Sequence, residues 1–306
     1  LFVTSLRYAD RVGRERTVNR MIGKHVLLGV LPLLLLVWAP AAFARHPNAD
    51  RVAALAKANP LATFSLERSP WANLTAYDFS RMHGLLNTDV PNDYALPCQF
   101  SKAVGSIVPK LAPTAAALPG GLDYVAKGAT VPVKNQGKCG SCWAHGATAV
   151  VESRMKLTTG NVTSLSTQYL MDCDGARLCK GCCGGLAERT LQWLAGDAGP
   201  GFPHQGTGIP SEAEYQYTSG CGVDPTKGQC KRGVAPVAGS AITSFGVVKP
   251  ATDVSVTSAV TQYGVIAVSM DAHALQFYTG GVITSAANCS SSDHVVAIVG
   301  YGTTAG

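Results

Sequence analysis

Charged residues are scarce in this 306-residue chain. Asp, Glu, Lys and Arg together make up 14% of the residues, whereas a soluble protein usually contains about 25%. Apolar residues, in contrast, make up 46%. This combination excludes an intrinsically disordered chain and indicates a compact protein that buries a sizeable core.

Net charge is also small over most of the chain. The formal charge is +6, of which residues 1–44 carry +4, so that only +2 remains for all the other residues. A surface that binds nucleic acid needs a concentrated positive patch. We therefore predict no nucleic-acid partner.

The apolar run near the N-terminus is too short to cross a bilayer. Residues 26–38 form an uninterrupted run of 13 residues, and a membrane-spanning helix needs about 20. Lys24 precedes the run and Ala42-Phe43-Ala44 follows it, which is typical of a signal peptide and its cleavage site. We predict a signal peptide over residues 21–44, non-native upstream sequence over residues 1–20, and no membrane association of the mature form.

Export places the protein in the secretory pathway, with the lysosome or vacuole, or the cell exterior, as its destination. Ten cysteines are compatible with disulfide bonds in that compartment. Three Asn-X-Ser/Thr triplets agree with export and mark Asn73, Asn161 and Asn288 as candidate glycosylation sites.

The rest of the chain divides into three parts. Residues 45–117 lack a strong core pattern and end in a linker rich in Pro, Ala and Gly. Helical patterns follow in "CWAHGATAVVESRMKL", "LSTQYLMDC" and "LAERTLQWLAG". From about Ala241 the patterns change to strands, in "AITSFGVV", "VIAVSMDA", "GGVITS" and "HVVAIVGYG". A helical half therefore precedes a β half.

The segment "KNQGKCGSCWAHG" contains the residues best suited to nucleophilic chemistry. Cys142 follows Ser141, a candidate helix N-cap, and a helix N-terminus favours the thiolate form of a cysteine. A thiolate that attacks a carbonyl also needs a proton-transferring histidine and an oxyanion donor. Gln136 can supply the donor, and His294, which begins a predicted strand, is our candidate for the histidine. His145 is interpreted as a packing residue, and His83 lies before the linker and is set aside.

Three alternatives remain at this point. Cys139 and Cys142 have the CxxC spacing of a redox pair, although no βαβ unit surrounds them. A zinc module is a second alternative, with Cys173, Cys179, Cys182 and Cys183 as its ligands. Cys182 and Cys183 are adjacent in sequence, which makes tetrahedral coordination by both sulfurs difficult. The third is a binding protein that shares an enzyme fold but has no catalytic activity.

Three motifs, in this order, resemble those of the papain-like cysteine proteases, the family of papain and the cathepsins: "PVKNQGKCGSCWA", "GCCGG" and "DHVVAIVGYG". The resemblance covers residues 118–306 and implies an α+β fold of two lobes, one helical and one β-barrel-like, with the second lobe incomplete. It implies a monomeric cysteine endopeptidase acting on polypeptides, with Cys142 as nucleophile, His294 as its partner, Gln136 in the oxyanion hole and Trp143 beside the cleft. No metal or organic cofactor is required.

The resemblance also assigns pairings and subsites. It pairs Cys139 with Cys182 and Cys173 with Cys230, and it leaves the pairing open for Cys98, Cys179, Cys183, Cys221 and Cys289. Substrate would lie along Gly184 and Gly185, whose backbone can pair with an extended peptide. The main specificity pocket would be apolar and would prefer a hydrophobic side chain two residues before the cut; its lining would be Leu186, Ala187 and Val295.

Several positions depart from the family pattern. "SPWANLTAYDFSRMHG" resembles the inhibitory prosegment of cathepsin-L-like members, but Ser69, Trp71 and Asn73 stand where Asn, Phe and Asp are usual. We therefore expect autoinhibition by the prosegment that is weaker or different. His145 and Gly146 likewise replace Phe and Ser. The orienting Asn of the family would fall beyond Gly306, so we expect this fragment to be poorly folded and weakly active.

Overall fold

The computed structural model describes the parts of the chain that carry the three motifs. The described residues are 46–80, 82–83, 110–111, 120–174, 181–196, 208–218, 228–249, 251–284 and 292–303. The predicted signal peptide and upstream sequence, most of the linker, Asn288 and four of the ten cysteines lie outside them; those cysteines are Cys98, Cys179, Cys221 and Cys289. Within the described residues, no helix combines the length and the apolar character that a membrane span requires.

Six α-helices lie in the described part of the chain. They are α1 (Ala49–Ala58), α2 (Ala76–Ser80), α3 (Cys142–Thr159), α4 (Thr167–Cys173), α5 (Ala187–Leu194) and α6 (Asp253–Tyr263). Helices α3, α4 and α5 coincide with the three helical patterns of the sequence. Their apolar faces meet in one core, in which Trp143, Val151 and Met155 from α3 pack with Leu170 from α4 and Trp193 from α5.

Helix α3 is the central element of the fold. One side of this 18-residue helix contacts α4 and α5, and another side contacts the strands. It ends because Gly160 adopts a left-handed conformation, with φ of 78°, and returns its N–H to the carbonyl of Lys156. Ser141 occupies the N-cap position as predicted, but its side chain makes no capping hydrogen bond.

The strands of the described residues form four two-stranded sheets. Strand β1 (Ala62–Phe64) pairs with β6 (Tyr278–Gly281), β2 (Lys110–Leu111) with β4 (Val247–Val248), β3 (Leu122–Asp123) with β8 (Gly300–Tyr301), and β5 (Ile266–Met270) with β7 (His294–Ile298). All pairs except β2–β4 are antiparallel. The β5–β7 pair carries the site, because Met270 lies opposite His294.

Two strand predictions were wrong in extent. In "AITSFGVV" only Val247 and Val248 form a strand, because the preceding residues pair with no neighbouring strand among the described residues. In "GGVITS" the strand ends at Gly281 instead of beginning there. Gly281 has φ of 85°, and a Cβ there would collide with the Leu61 carbonyl oxygen, so that it closes the β1–β6 pair rather than opening a new strand.

Helix α6 interrupts the half of the chain that the sequence predicts to be all strand. Its Val and Thr residues favour strands, which hides the helical period. The start is nevertheless well defined, since Thr252 and Ser255 form a capping box in which each side chain accepts from the other residue's backbone N–H. Val256 and Val260 of α6 pack with Tyr124, Val265 and Ile298 in a second core.

The N-terminal segment from His46 to His83 lies against the second half of the chain. Strand β1 adds to β6, and buried Gln276 donates from Nε2 to the carbonyls of Trp71, at 3.1 Å, and Leu74, at 2.9 Å. Ser69 donates its hydroxyl to the Gln276 carbonyl. Ser69 and Trp71, two of the three unusual positions, thus contribute directly to this attachment.

Candidate active site

Cys142 is the first residue of α3 and is completely buried. It lies outside any disulfide, whereas Cys139, three residues earlier, is bonded to Cys182. The two sulfurs of the CxxC segment are therefore not equivalent, and Cys139 is not available as a redox partner for Cys142. The unpaired N–H groups at this helix end favour negative charge on a sulfur placed there.

Gln136 lies in the loop before α3, with its side-chain amide directed at main-chain carbonyls. Nε2 donates to the carbonyl oxygen of Met82 at 2.6 Å and to that of Cys139 at 2.8 Å. Met82 belongs to the N-terminal segment. A peptide carbonyl of that segment is thus bound by the amide that the sequence predicts to bind the oxyanion.

Ser141, Tyr217 and His145 hold the loop and the helix together. The Tyr217 hydroxyl donates to the Gln136 carbonyl at 2.9 Å and lies 2.7 Å from the Ser141 hydroxyl. His145 Nδ1 lies 3.0 Å from the Ser141 carbonyl, and its ring packs edge-on against Tyr217. Burial lowers the pKa of His145 to about 4, so its imidazole is neutral at neutral pH. These contacts agree with a packing role for His145.

His294 begins β7, which packs against α3. The contact is close at Gly146, because a Cβ there would lie 2.6 Å from the Val295 Cγ1 methyl. Gly146 is one helical turn from Cys142, and Val295 follows His294 directly. The Val295 methyl thus fills the space that a side chain at position 146 would need, which accounts for Gly146 where the family pattern has Ser.

The His294 imidazole is half-buried and electrostatically unfavourable to protonate. Burial is the main cause that lowers its pKa to about 4, the nearby imidazole of His83 adds to the effect, and Asp293 opposes it. Among the described residues its Nδ1 has no hydrogen-bond partner. The ring of His83 lies 5.2 Å from that of His294, and His83 Nδ1 lies 2.6 Å from Asp293 Oδ2.

The "GCCGG" motif lies against the turn that carries Cys142. The Cys139–Cys182 disulfide joins the two segments, and Gly140 donates its N–H to the Cys182 carbonyl at 3.2 Å. Trp143 donates its indole N–H to the Gly181 carbonyl at 3.2 Å. Gly185 lies flat on the Trp143 ring, where a Cβ would approach within 2.5 Å of the indole. Glycine is thus required at this position.

The remaining predicted pocket residues lie at the start of α5 and on β7. Gly184 and Gly185 are buried, Leu186 is half-buried before the first turn of α5, and Ala187 begins that helix. Val295 is buried and directs a methyl group at Gly146. Asn73 and Asn161 are exposed, as a glycosylated Asn has to be.

The disulfides remove the zinc module from consideration. Cys173 is bonded to Cys230, across 57 residues, and Cys182 to Cys139, both pairings being those that the family resemblance implies. Cys183 is also disulfide-bonded, and its partner lies outside the described residues. Three of the four proposed zinc ligands are therefore committed to sulfur–sulfur bonds, which leaves no thiolate on them for a metal.

Sequence analysis missed Met82, His83 and Tyr217. The signal for Met82 and His83 was present, because both lie in the segment that resembles a prosegment, but their proximity to His294 depends on how that segment folds back. No sequence signal pointed to Tyr217, whose hydroxyl reaches Gln136 across 81 residues.

The fold and site place a buried cysteine at the N-terminus of α3, which packs against the strand that begins with His294, and the N-terminal segment contacts both Gln136 and the His294 ring. Residues 118–306 match the family model described as "Papain family cysteine protease". The chain belongs to this family, and its fold is the papain-like α+β fold.

Relatives with known sequences agree. The chain is 40% identical to mouse procathepsin L over 190 residues, which are 60% of this chain and 51% of the relative. It is 31% identical to a cysteine proteinase of Trypanosoma brucei brucei over 256 residues, which are 83% of this chain and 50% of the relative. The chain thus spans about half the length of the curated relatives it matches.

Solved structures show the same similarity. Digestive procathepsin L 3 of Tenebrio molitor larval midgut superposes with a TM-score of 0.64 at 25% identity, covering 84% of this chain and 75% of that one. The bromelain protease of Ananas comosus, solved in complex with the E64 inhibitor, gives a TM-score of 0.51 at 33% identity, covering 61% of this chain and 78% of that one. The similarity to the proform extends over the N-terminal segment.

Proposed function

We propose that this chain is the prosegment and catalytic region of a secreted or lysosomal cysteine endopeptidase. The observation that carries the proposal is the hydrogen bond from Gln136 Nε2 to the Met82 carbonyl. An amide beside a helix-terminal thiol already binds a peptide carbonyl, which is the interaction that stabilises the oxyanion of a peptidase intermediate.

In the proposed mechanism, the thiolate of Cys142 attacks the carbonyl carbon of a peptide bond. Gln136 and the Cys142 backbone N–H stabilise the resulting oxyanion. His294 then donates a proton to the leaving amine and afterwards removes one from the water that hydrolyses the thioester. The chemistry uses only residues of the chain.

The N-terminal segment is proposed to act as an inhibitor in the same chain. Met82 occupies the amide of Gln136, and His83 covers His294 and contributes to keeping it neutral. A neutral imidazole is a much weaker acid than an imidazolium, so His294 in this state would protonate a leaving amine poorly. Removal of this segment would uncover the donor and let His294 regain a more ordinary pKa, which supports activation by loss of the prosegment.

We propose a preference for hydrophobic side chains two residues before the cut. The residues assigned to that pocket are Leu186, Ala187 and Val295, and none carries a charge. Export, glycosylation at Asn73, Asn161 and Asn288, and a monomeric state complete the proposal.

The test compares the purified protein, after removal of the prosegment, with single variants. We expect weak but measurable hydrolysis of fluorogenic peptides with Leu or Phe two residues before the cut, and slower hydrolysis of matched peptides with Asp there. Cys142→Ala lowers kcat/KM by about 10³-fold or more, and Gln136→Ala lowers kcat by roughly 10²-fold. His46→Ala, which changes a half-exposed residue of the segment that is removed, is the matched control.

An epoxide inhibitor identifies the nucleophile without turnover. Cys142 is the expected site of labelling, and the label should be absent from the Cys142→Ala variant by peptide mass mapping. Peptide hydrolysis that survives Cys142→Ala, or an epoxide adduct on a different cysteine, would contradict the proposal.

A further inference from the structure

Two separate segments supply the oxyanion donors proposed for this site. The Gln136 amide belongs to the loop before α3, and the Cys142 N–H belongs to the first residue of that helix. The Tyr217 hydroxyl donates to the Gln136 carbonyl at 2.9 Å and lies 2.7 Å from the Ser141 hydroxyl. Ser141 directly precedes Cys142. One side chain therefore joins the two parts of the proposed oxyanion hole.

The direction of these hydrogen bonds follows from their acceptors. A carbonyl oxygen only accepts, so the single hydrogen of the Tyr217 hydroxyl points at Gln136. Ser141 then donates its own hydroxyl hydrogen to the Tyr217 oxygen. The Ser141 carbonyl accepts from His145 Nδ1 at 3.0 Å, which places the hydrogen of the neutral imidazole on that nitrogen. The three side chains thus form a connected series of hydrogen bonds that ends at the Gln136 carbonyl.

Tyr217 is itself fixed in place, which lets it act as a reference point for the loop. Its backbone N–H donates to Glu212 Oε1 at 2.8 Å, and Glu212 donates its own N–H to the Ser164 carbonyl at 2.8 Å. The next residue, Thr218, donates its N–H to Gln168 Oε1 of α4 at 3.0 Å. The Tyr217 ring is half-buried against the core formed by α3, α4 and α5. The tyrosine is therefore anchored to the helical core independently of the loop that it contacts.

The loop has further contacts, and they act on different atoms. Lys134, two residues before Gln136, donates from Nζ to Glu152 Oε1 of α3 at 2.7 Å. Gln136 Nε2 donates to the Cys139 carbonyl at 2.8 Å. The first contact holds the beginning of the loop and the second holds the amide group, whereas the Tyr217 hydroxyl holds the main chain from which the amide projects. Loss of this hydroxyl would therefore let the loop move relative to α3 without unfolding it.

We propose that Tyr217 is a positioning residue of the active site, whose hydroxyl fixes the separation of the Gln136 amide and the Cys142 N–H. This inference rests on the proposed peptidase function. A donor stabilises an oxyanion when it lies about 2.7–3.1 Å from the oxygen. A displaced donor destabilises the transition state more than the bound substrate, so the effect should appear in kcat rather than in KM.

The first test is kinetic and uses Tyr217→Phe in the protein from which the prosegment has been removed. This variant retains the ring and its packing and lacks only the hydroxyl. We expect kcat to fall about 10-fold and KM to change by less than about 2-fold. Iodoacetamide should alkylate Cys142 at the parental rate, because displacement of iodide by the thiolate forms no oxyanion. Peptide mass mapping identifies Cys142 as the alkylated residue.

Tyr124→Phe is the matched control. The Tyr124 hydroxyl also donates to a distant carbonyl, that of Val260, at 2.8 Å, but it does so in the second core. Its loss should leave kcat and the rate of alkylation unchanged. A Tyr217→Phe protein with parental kcat, or with an alkylation rate reduced as much as kcat, would overturn the positioning role.

Ser141→Ala tests the same bridge from its other end. Ser141→Ala and Tyr217→Phe each remove the hydrogen bond between the two hydroxyls. The loss of kcat in the double variant should therefore be smaller than the product of the two single losses. A loss equal to the product would mean that the two hydroxyls act independently, which contradicts the proposed bridge.

A second measurement needs no peptidase activity, so that failure of the positioning role is distinguishable from failure of the proposed function. The uncleaved Cys142→Ala chain is labelled with ¹⁵N at its glutamine side chains, and the Gln136 amide signal is identified by its absence from Gln136→Ala. Tyr217→Phe should increase the exchange of these amide protons with solvent about 10-fold, and Tyr124→Phe should not. If the parent protein hydrolyses no peptide, the proposed function fails. Unchanged exchange would then also overturn the role of Tyr217, whereas faster exchange would support it.

Discussion

At the scale of single residues, the contact between Gly146 and Val295 leaves no room for a side chain at position 146. The space that a Cβ of Gly146 would need is already filled by a Val295 methyl. The family pattern has Ser at the position of Gly146. The residue that fits at position 146 in this chain therefore depends on the size of Val295. Sequence analysis noticed the unusual glycine, but only the packing of α3 on β7 explains it.

The coupling predicts a rescue. Gly146→Ser, made with Cys142→Ala to prevent self-cleavage, is expected to destabilise the protein by about 1–3 kcal/mol, because the core has no room for the added atoms. The double substitution Gly146→Ser with Val295→Ala should recover most of the lost free energy of unfolding. Urea unfolding measures both free energies. Gly120→Ala is the control, since no atom lies within 4 Å of its Cβ; equal losses with and without Val295→Ala would contradict the coupling.

His145 predicts a dependence of stability on pH. Burial lowers its pKa to about 4 from the ordinary 6.5. As the pH falls below 6.5, the unfolded chain binds a proton at His145, whereas the folded chain does so only near pH 4. The free energy of unfolding that His145 contributes is therefore fully present above pH 6.5 and is lost progressively toward pH 4.

The measurement is the free energy of unfolding of the Cys142→Ala chain at a series of pH values between 7 and 4. His145→Phe should make the decline less steep over this interval. His46→Ala, which alters a half-exposed histidine of the N-terminal segment, should leave the slope unchanged. A slope that is the same for His145→Phe as for its parent would show that the buried imidazole is not responsible.

At the scale of secondary-structure elements, one strand and one glutamine contribute several of the hydrogen bonds that attach the N-terminal segment. Strand β1 supplies backbone hydrogen bonds to β6, and Gln276, at the end of a short 3₁₀-helix, bonds to Trp71, Leu74 and Arg51. Gln276 is fully buried. Its loss would leave main-chain carbonyls without their donor, which is costly in a buried site.

Gln276→Ala is therefore predicted to loosen the segment over the active site. We expect the rate at which an epoxide labels Cys142 in the uncleaved protein to rise by roughly 10-fold, corresponding to about 1.4 kcal/mol of lost attachment. Gln262→Ala, an exposed glutamine of α6, serves as the control. Labelling that is unchanged in Gln276→Ala would show that other contacts retain the segment.

At the scale of the whole molecule, the disulfides close the loops that the site depends on. Cys139–Cys182 spans 43 residues and holds "GCCGG" against the turn of Cys142. A cross-link over a loop of this size stabilises a protein by about 4 kcal/mol in the chain-entropy description. The same bond positions Gly185 on the Trp143 ring.

Replacement of Cys139 and Cys182 together by serine is predicted to lower the free energy of unfolding by about 2–4 kcal/mol. Near-UV circular dichroism should also change, because Trp143 loses the neighbour that fixes its ring. Replacement of Cys173 and Cys230 is the comparison, with a similar loss of stability and a smaller change in the Trp143 signal. Equal spectral changes for the two pairs would contradict this assignment.

Much of this molecule follows from local patterns in its sequence. Helices α3, α4 and α5 are specified by apolar spacing, and the positions of Gln136, Cys142 and His294 follow from motifs in which each residue type is required by its chemistry. The zymogen-like segment was also recognisable, because its motif is local. Helix α6 was not, since β-branched residues masked the helical period until the capping box became visible.

Only the tertiary structure determines which residues that are far apart in the sequence contact one another. It placed Met82 on Gln136, His83 on Asp293, and the Tyr217 hydroxyl between the loop and the helix of the candidate nucleophile. It also made Gly146 compulsory. The physical reason is that helix period, caps and catalytic residue types are properties of neighbours along the chain, whereas burial, shared hydrogen bonds and shifted pKa values arise only when separate segments exclude water together.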